Sequence, residues 1–265
     1  MLKLRLLSAA IGAPLVLFLV WWGVNWTMAL VSLAAVVGLL EFHALSVRKA
    51  ATPGLILGLV AVVLFTVQAG TDYDILRPLI TGAFFLPLLL LVFLPQKERL
   101  LTDWAWTLAG VFLIGWSLSH AILIRRLLTG REWLLSLILI TFAIDTGAYV
   151  AGRLFGKHLM APSISPRKTW EGAIGGTIGG IAASAGLGTV YRLDVSVLQM
   201  CLLGALIAIF SQCGDLAVSV IKRAAGAKDS SPLIPGHGGF LDRLDSLIPA
   251  VLVLYYFLIY AIGEP

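Results

Sequence analysis

The chain has 265 residues, of which 59% are apolar and only 12% charged, with a net charge of +5 and a mean hydropathy of +0.97. Soluble chains carry about 25% charged residues, so a soluble globular domain is excluded and a polytopic, all-α helical membrane protein is expected. The alternating pattern of a membrane β-barrel is absent, and no basic tract with interleaved aromatics points to nucleic acid.

A bilayer core about 30 Å thick takes roughly 20 apolar residues of helix to cross. Nine spans can be drawn, near 6–22, 26–45, 54–70, 75–94, 104–124, 133–152, 172–190, 198–221 and 246–262. The first follows Lys3 and Arg5 and lacks a convincing cleavage site, so it reads as a retained helix. An odd number of spans puts the termini on opposite sides. With the N-terminus inside, the inner segments hold 14 of the 19 Lys and Arg residues. That bias predicts an inner N-terminus, inner loops at 153–171 and 222–245, and an outer C-terminus. Arg125, Arg126 and Arg131 are the dissenting cluster.

The first five spans hold little that could do chemistry. Glu41 and His43, near the end of the second, read singly as snorkelling or packing residues. Divided by role, residues 1–130 form a transmembrane scaffold and residues 131–265 a transmembrane half that carries the site. Cys201 and Cys213 share one apolar stretch and have no CxxC spacing, so neither a disulfide nor a zinc site is expected.

In the sixth span and beyond, Asp145, Tyr149, Gly152, Arg153 and Gly156 fall at helical spacing and give a polar face running to the inner surface. The "GRLFGK" run from Gly152 to Lys157 is one spacer short of a phosphate-binding P-loop, and His158 stands where that motif needs Ser or Thr. In "SPRKTWEG", Ser165 and Pro166 form a good helix start. Arg167 and Lys168 would then stand beside exposed amide donors, a place that suits anions. Gly172, Gly176, Gly180, Ser184 and Gly188 follow as a small-residue stripe that lets a second helix approach closely. It permits a homodimer without requiring one.

The eighth span contains an acid, Asp215, at an insertion cost of about 2.5–3.5 kcal/mol. Ser211, Asp215, Ser219 and Lys222 lie on one helical face. A structural polar seam is the alternative reading of this face, as it is of the Asp145 face.

Between the last two spans lies the most charged stretch, residues 222–245, with Gly236, Gly238 and Gly239 around His237. Asp242 and Asp245 share a face where the last helix starts. With Asp215 they make an oxygen-rich set that suits Mg²⁺, as one cation or two. The neighbouring Lys and Arg residues suit phosphate groups. No Ser–His–Asp arrangement stands out.

The run from Ser219 to Ser246 can be written SxxKRxxxxKDxxxxxPGHGGxxDRxDS. It resembles the signature of the phosphatidate cytidylyltransferase (CDP-diglyceride synthase) family. "DTGAY" from Asp145, "GRLFGK" from Gly152 and "SISPRKTWEG" from Ser163 are similar to that family's other shared segments. Ser230 and Ser231 depart from it, standing where a small residue such as Gly is frequent. The resemblance implies an enzyme that makes CDP-diacylglycerol and pyrophosphate from CTP and phosphatidate. It implies a multi-pass protein of the bacterial cytoplasmic (inner) membrane, with its site at the cytoplasmic leaflet among membrane lipids. On it, Asp215, Asp242 and Asp245 are assigned to Mg²⁺. Lys168, Lys222, Arg223, Lys228 and Arg243 are assigned to the triphosphate and lipid phosphate. Asp145, Tyr149, Arg153, Lys157, Ser165, Asp229, Gly238 and Gly239 are added as substrate contacts. His237 is either a phosphate donor or a residue that fixes the loop. Two rivals are weighed: a CTP-dependent lipid or polyprenol kinase, and an ion-coupled transporter using Asp145 and Asp215.

Overall fold

The computed structural model describes residues 2–46, 53–93, 97–234 and 238–263. Helix dominates, as expected. Among the described residues six helices are long and apolar enough to cross a membrane: Val24–Ala44, Leu101–Arg126, Gly130–Phe155, Trp170–Val190, Val197–Ala224 and Leu241–Ile262. Three shorter apolar helices cover Ala10–Trp22, Gly54–Gly70 and Leu76–Leu90. The nine expected spans fall on these stretches, six of them at crossing length.

The chain forms two compact units, Met1–Arg126 with Ala225–Asp242, and Leu127–Ala224 with Arg243–Pro265. Their boundary differs from the division by role, because the charged segment 225–242 belongs with the first unit. The chain changes unit after Arg126, after Ala224 and after Asp242.

The first unit holds α1 (Leu2–Trp22), α2 (Val24–Ala44), α3 (Pro53–Gly70) and α4 (Leu76–Phe93). α5 (Lys97–Gly110) continues through a π-helical turn, Val111–Trp116, into α6 (Ser117–Arg126). Its centre is apolar, with Leu39, Val62, Phe65, Ile114, Ile122 and Ile124 fully buried. Phe42 stacks on Trp106 with ring centroids 4.7 Å apart, and the indole N–H donates to Phe42 O at 3.0 Å. The dissenting arginines have a local use. Arg125 Nε donates to Val20 O at 3.0 Å, and Arg126 donates to Ala69 O at 3.2 Å and Thr71 O at 2.8 Å while pairing with Asp72. Both therefore sit at the carbonyl ends of α1 and α3, where cations offset the helix dipole and satisfy orphan acceptors. Arg131, in the second unit, pairs with its neighbour Glu132.

The second unit holds α7 (Gly130–Phe155), the strands β1 (Leu159–Ala161) and β2 (Ser165–Thr169), α8 (Trp170–Val190) and α9 (Val197–Ala224). After α10 (Leu241–Leu244) comes α11 (Leu247–Phe257), which ends in a π-helical turn, Leu258–Ile262. β1 and β2 pair antiparallel, with Leu159 opposite Thr169 and Ala161 opposite Ser165. The small-residue stripe packs inside this unit: Gly172, Gly176, Gly180, Ser184 and Gly188 are the buried residues of α8. A Cβ on Gly147 would stand 2.7 Å from Gly175 O, and one on Gly204 2.5 Å from Gly180 O. α8 thus meets α7 and α9 backbone to backbone, and the Ser184 hydroxyl donates to Met200 O at 2.7 Å.

Candidate active site

The expected helix start at Ser165 is corrected by the structure. Ser165–Thr169 is strand β2, and α8 begins at Trp170. Proline is tolerated in a short exposed ribbon because it leaves few ladder bonds to lose. Thr169, in extended conformation, is the N-cap: its hydroxyl accepts from Gly172 N at 3.1 Å, which satisfies one of the orphan donors of the first turn. Glu171 follows in that turn and accepts from His158 Nδ1 at 2.6 Å. This contact joins the approach to β1 with the start of α8. At the other end of the ribbon, Arg223 Nε donates to Ile164 O at 3.1 Å, tying the β1–β2 loop to the end of α9.

These contacts leave a cavity of about 400 Å³ among α7, α8, α9 and the ribbon. Asp145, Tyr149, Gly152 and Arg153 line it from α7, Arg167, Lys168 and Thr169 from β2, and Ser211, Gln212 and Asp215 from α9. Lys168 Nζ stands 2.6 Å from Asp215 Oδ2. The other oxygen of Asp215 accepts from the Ser219 hydroxyl at 3.4 Å. Asp145 lies within electrostatic range of Asp215, Arg243 and Lys168. On the rim, Arg153 Nη1 donates to the Tyr149 hydroxyl at 2.7 Å. The Ser211 hydroxyl is buried with no hydrogen-bond partner among the described residues, on the face of α9 that also carries Asp215.

Asp245 is 8% exposed, and its Oδ1 accepts from Ser246 N at 2.8 Å. It lies within electrostatic range of Asp215, Lys222 and Arg243. Gly214 makes this approach possible: a Cβ there would stand 2.6 Å from Asp245 O and would also strike the Pro249 ring. Sequence reasoning missed Gly214, although a glycine directly before an intramembrane acid was the available signal. Lys222 is buried and Arg243 exposed. Neither lines the cavity, and the same holds for Asp245, Lys157, Ser165 and Arg223.

The remaining expected residues lie in the first unit. Asp242 is buried; its Oδ2 accepts from Ser230 N at 3.0 Å and Gly239 N at 2.9 Å. Lys228 and Asp229 are exposed. Gly238 has φ +83°, a conformation in which other residues are strained. A Cβ on the buried Gly239 would strike Ser230 Oγ and stand 2.6 Å from Glu41 Oε2. Glu41, read from sequence as a snorkelling or packing residue, is 6% exposed and its carboxylate is bonded to this segment at Ser230, Ser231, Phe240 and Leu241. Nothing near Glu41 in sequence signals partners about 190 residues away. His237 lies outside the described residues.

Among the described residues no group of three or more His, Cys, Asp or Glu side chains is set as a ready metal site. The donor chemistry around the second unit's cavity nonetheless fits a hard cation. Asp145 and Asp215 supply carboxylate oxygens, and the orphaned Ser211 hydroxyl is a further oxygen on the same wall. Such oxygen ligands suit Mg²⁺, which also keeps waters and takes substrate phosphates.

A sequence model described as the cytidylyltransferase family matches residues 3–261. A phosphatidate cytidylyltransferase of Staphylococcus haemolyticus is 32% identical over 262 residues, covering 97% of this chain and 99% of the relative. A phosphatidate cytidylyltransferase of Brucella suis is 41% identical over 167 residues, 60% of each chain. One of Mycobacterium bovis is 39% identical over 126 residues, 48% of this chain and 41% of the relative. With a match that runs nearly end to end, the chain belongs to the cytidylyltransferase family.

Proposed function

We propose that the protein transfers the cytidylyl group of CTP to phosphatidate, giving CDP-diacylglycerol and pyrophosphate at the cytoplasmic leaflet of a bacterial inner membrane. The observation that carries this reading is the Lys168–Asp215 pair in a polar cavity walled by apolar helices. An intramembrane acid beside a cation marks a substrate path more often than a packing seam. The relative from Staphylococcus haemolyticus, matched along nearly its whole length, supports the same substrates.

In this reaction an oxygen of the lipid phosphate attacks the α-phosphorus of CTP. A new P–O bond forms as the bond from the α-phosphorus to the β-phosphate oxygen breaks, and pyrophosphate leaves with that electron pair. The attacking phosphate is already ionised near neutral pH, so no protein base is required. What the protein supplies is alignment and charge. Lys168 and Arg167 face the cavity beside the amino end of α8, where backbone N–H groups add to the positive potential. Arg153 and Tyr149 would hold the nucleotide or lipid phosphate at the rim. Asp215, with Asp145 and Ser211 on the cavity wall and Asp245 close by in charge, would hold Mg²⁺, which shields the phosphates from one another. Asp242, assigned to the cation on the family signature, belongs to the first unit and is not counted in this set.

The test is purified protein with CTP, phosphatidate and Mg²⁺. CDP-lipid with equimolar pyrophosphate is expected. CDP with a newly phosphorylated lipid would instead establish the kinase reading.

A further inference from the structure

We propose that Glu41 is a positioning residue: a carboxylate on α2 that holds Ser230–Ser231 and Phe240–Leu241 together in the arrangement that binds substrate. The inference rests on the reading of residues 225–242 as a substrate-binding segment. Glu41 Oε2 accepts from the Ser230 hydroxyl at 2.8 Å and from Leu241 N at 2.7 Å. Glu41 Oε1 accepts from Phe240 N at 2.9 Å and from the Ser231 hydroxyl. An ionised carboxylate has about four lone-pair sites, and all four are taken. Glu41 has no capacity left for a cation or a reacting proton, which rules out a direct chemical role.

The partners of Glu41 come from two stretches of chain, Ser230–Ser231 and Phe240–Leu241, so one side chain ties the two together. The clamp also reaches Asp242. The Ser230 backbone N–H and the Gly239 N–H both donate to Asp242 Oδ2; Ser230 is itself bonded to Glu41, and Gly239 directly precedes Phe240, which is. The Ser230 hydroxyl has a single proton, directed to Glu41 at 2.8 Å; Asp242 stands farther from it, at 3.2 Å. Bare glycine at position 239 lets these groups converge, since a Cβ would displace Ser230 and Glu41. Ser230 and Ser231, the two places where the sequence leaves the family signature, are the hydroxyl donors of the clamp.

A clamp of this kind acts on population, not on the chemical step. Without it the segment samples other shapes, and substrate must select the competent one. The apparent affinity then falls by the competent fraction, while a saturated enzyme turns over as before. Glu41→Ala should therefore raise the KM for CTP by about tenfold or more and leave kcat within about twofold. Glu41→Gln should resemble it, because an amide nitrogen faces donors in place of an acceptor. Glu41→Asp should recover part of the affinity. Ser230→Ala with Ser231→Ala keeps the carboxylate and two of its four donors, so it should give a smaller rise of about threefold, and it serves if Glu41 variants fail to fold.

The measurements are steady-state kinetics for CTP and hydrogen exchange of the Phe240 and Leu241 amides in detergent. Faster exchange at these amides together with a KM-only defect supports the clamp. Unchanged exchange in Glu41→Ala overturns it. A fall in kcat at unchanged KM also overturns it, since it would put Glu41 in the chemistry. If the wild-type protein makes no CDP-lipid, the functional reading fails, and faster exchange in the variants still supports the clamp as a device that orders the loop.

Discussion

Lys168 at the end of β2 and Asp215 in the middle of α9 form an ion pair at 2.6 Å, joining the ribbon to the one acid of α9. The side chains are 26% and 37% exposed, so water and salt screen the pair and its net stabilisation is below about 1 kcal/mol. A contact so weak for its placement is a poor reason to keep an acid in a membrane span, and a site is the better one. Lys168→Ala and Asp215→Asn should each cut CDP-lipid formation by about tenfold or more, the scale of one charge-assisted contact. The double variant should lose little beyond the worse single one, as expected for groups serving one substrate complex. Fully additive losses would mean that the two residues act independently.

Gly214→Ala tests whether the approach of α9 to the start of α11 matters. The added methyl would meet Asp245 O and Pro249, and backbone cannot give way as a side-chain tip can. Overpacking of this kind costs about 1–3 kcal/mol. A lower melting temperature with reduced turnover is expected. Turnover that survives the stability loss would separate Asp215 and Asp245 in function.

Arg126→Gln probes a cation with a structural use. Its guanidinium serves the last carbonyls of α3 and Asp72, far in sequence from any of the motifs. Melting in detergent should fall by the equivalent of about 1 kcal/mol, discounted for the partial exposure of the side chain, with the KM for CTP unchanged. A selective rise in KM would move this arginine into substrate binding.

Much of the helix layout was legible in the sequence because apolar runs of bilayer length have few alternatives. The Gly172–Gly188 stripe was legible for a related reason: small residues at steps of four have one common use, close helix contact. The β1–β2 ribbon was not. Ser165–Pro166 reads locally as a helix start, and only the pairing of Ser165 with Ala161 and the cap supplied by Thr169 decide otherwise. Glu41 was illegible for a different reason, since its bonds span about 190 residues and leave no periodic trace. The charge bias placed Arg125 and Arg126 as exceptions; their bonds to helix-end carbonyls supply the local cause.

Cysteine labelling tests the orientation read from charge. With Cys201 and Cys213 replaced, single cysteines introduced in 153–171 and 222–245 should react only with reagent that reaches the cytoplasm, and one near residue 263 should react from outside. Labelling of both charged loops from outside would place the cavity away from cytoplasmic CTP and end the proposed function in its present form.

Asp245→Asn separates a cation site from a polar seam. Asp245 is buried, keeps one oxygen on Ser246 N and faces the charge of Asp215. Two carboxylates near each other repel, and a bound cation relieves that repulsion. Mg²⁺ should therefore raise the melting temperature of the wild-type protein by mass action, by an amount that grows with its concentration. Removing one of the charges should shrink that gain while leaving the chelator-treated protein no less stable. Loss of turnover should accompany the smaller gain. In a seam, by contrast, Asp245 would be held through Lys222, and the Asn variant would melt lower in chelator by about 1–3 kcal/mol, with the Mg²⁺ gain intact. That second pattern would remove Asp245 from the cation site and leave the carboxylates of α7 and α9 to hold the metal.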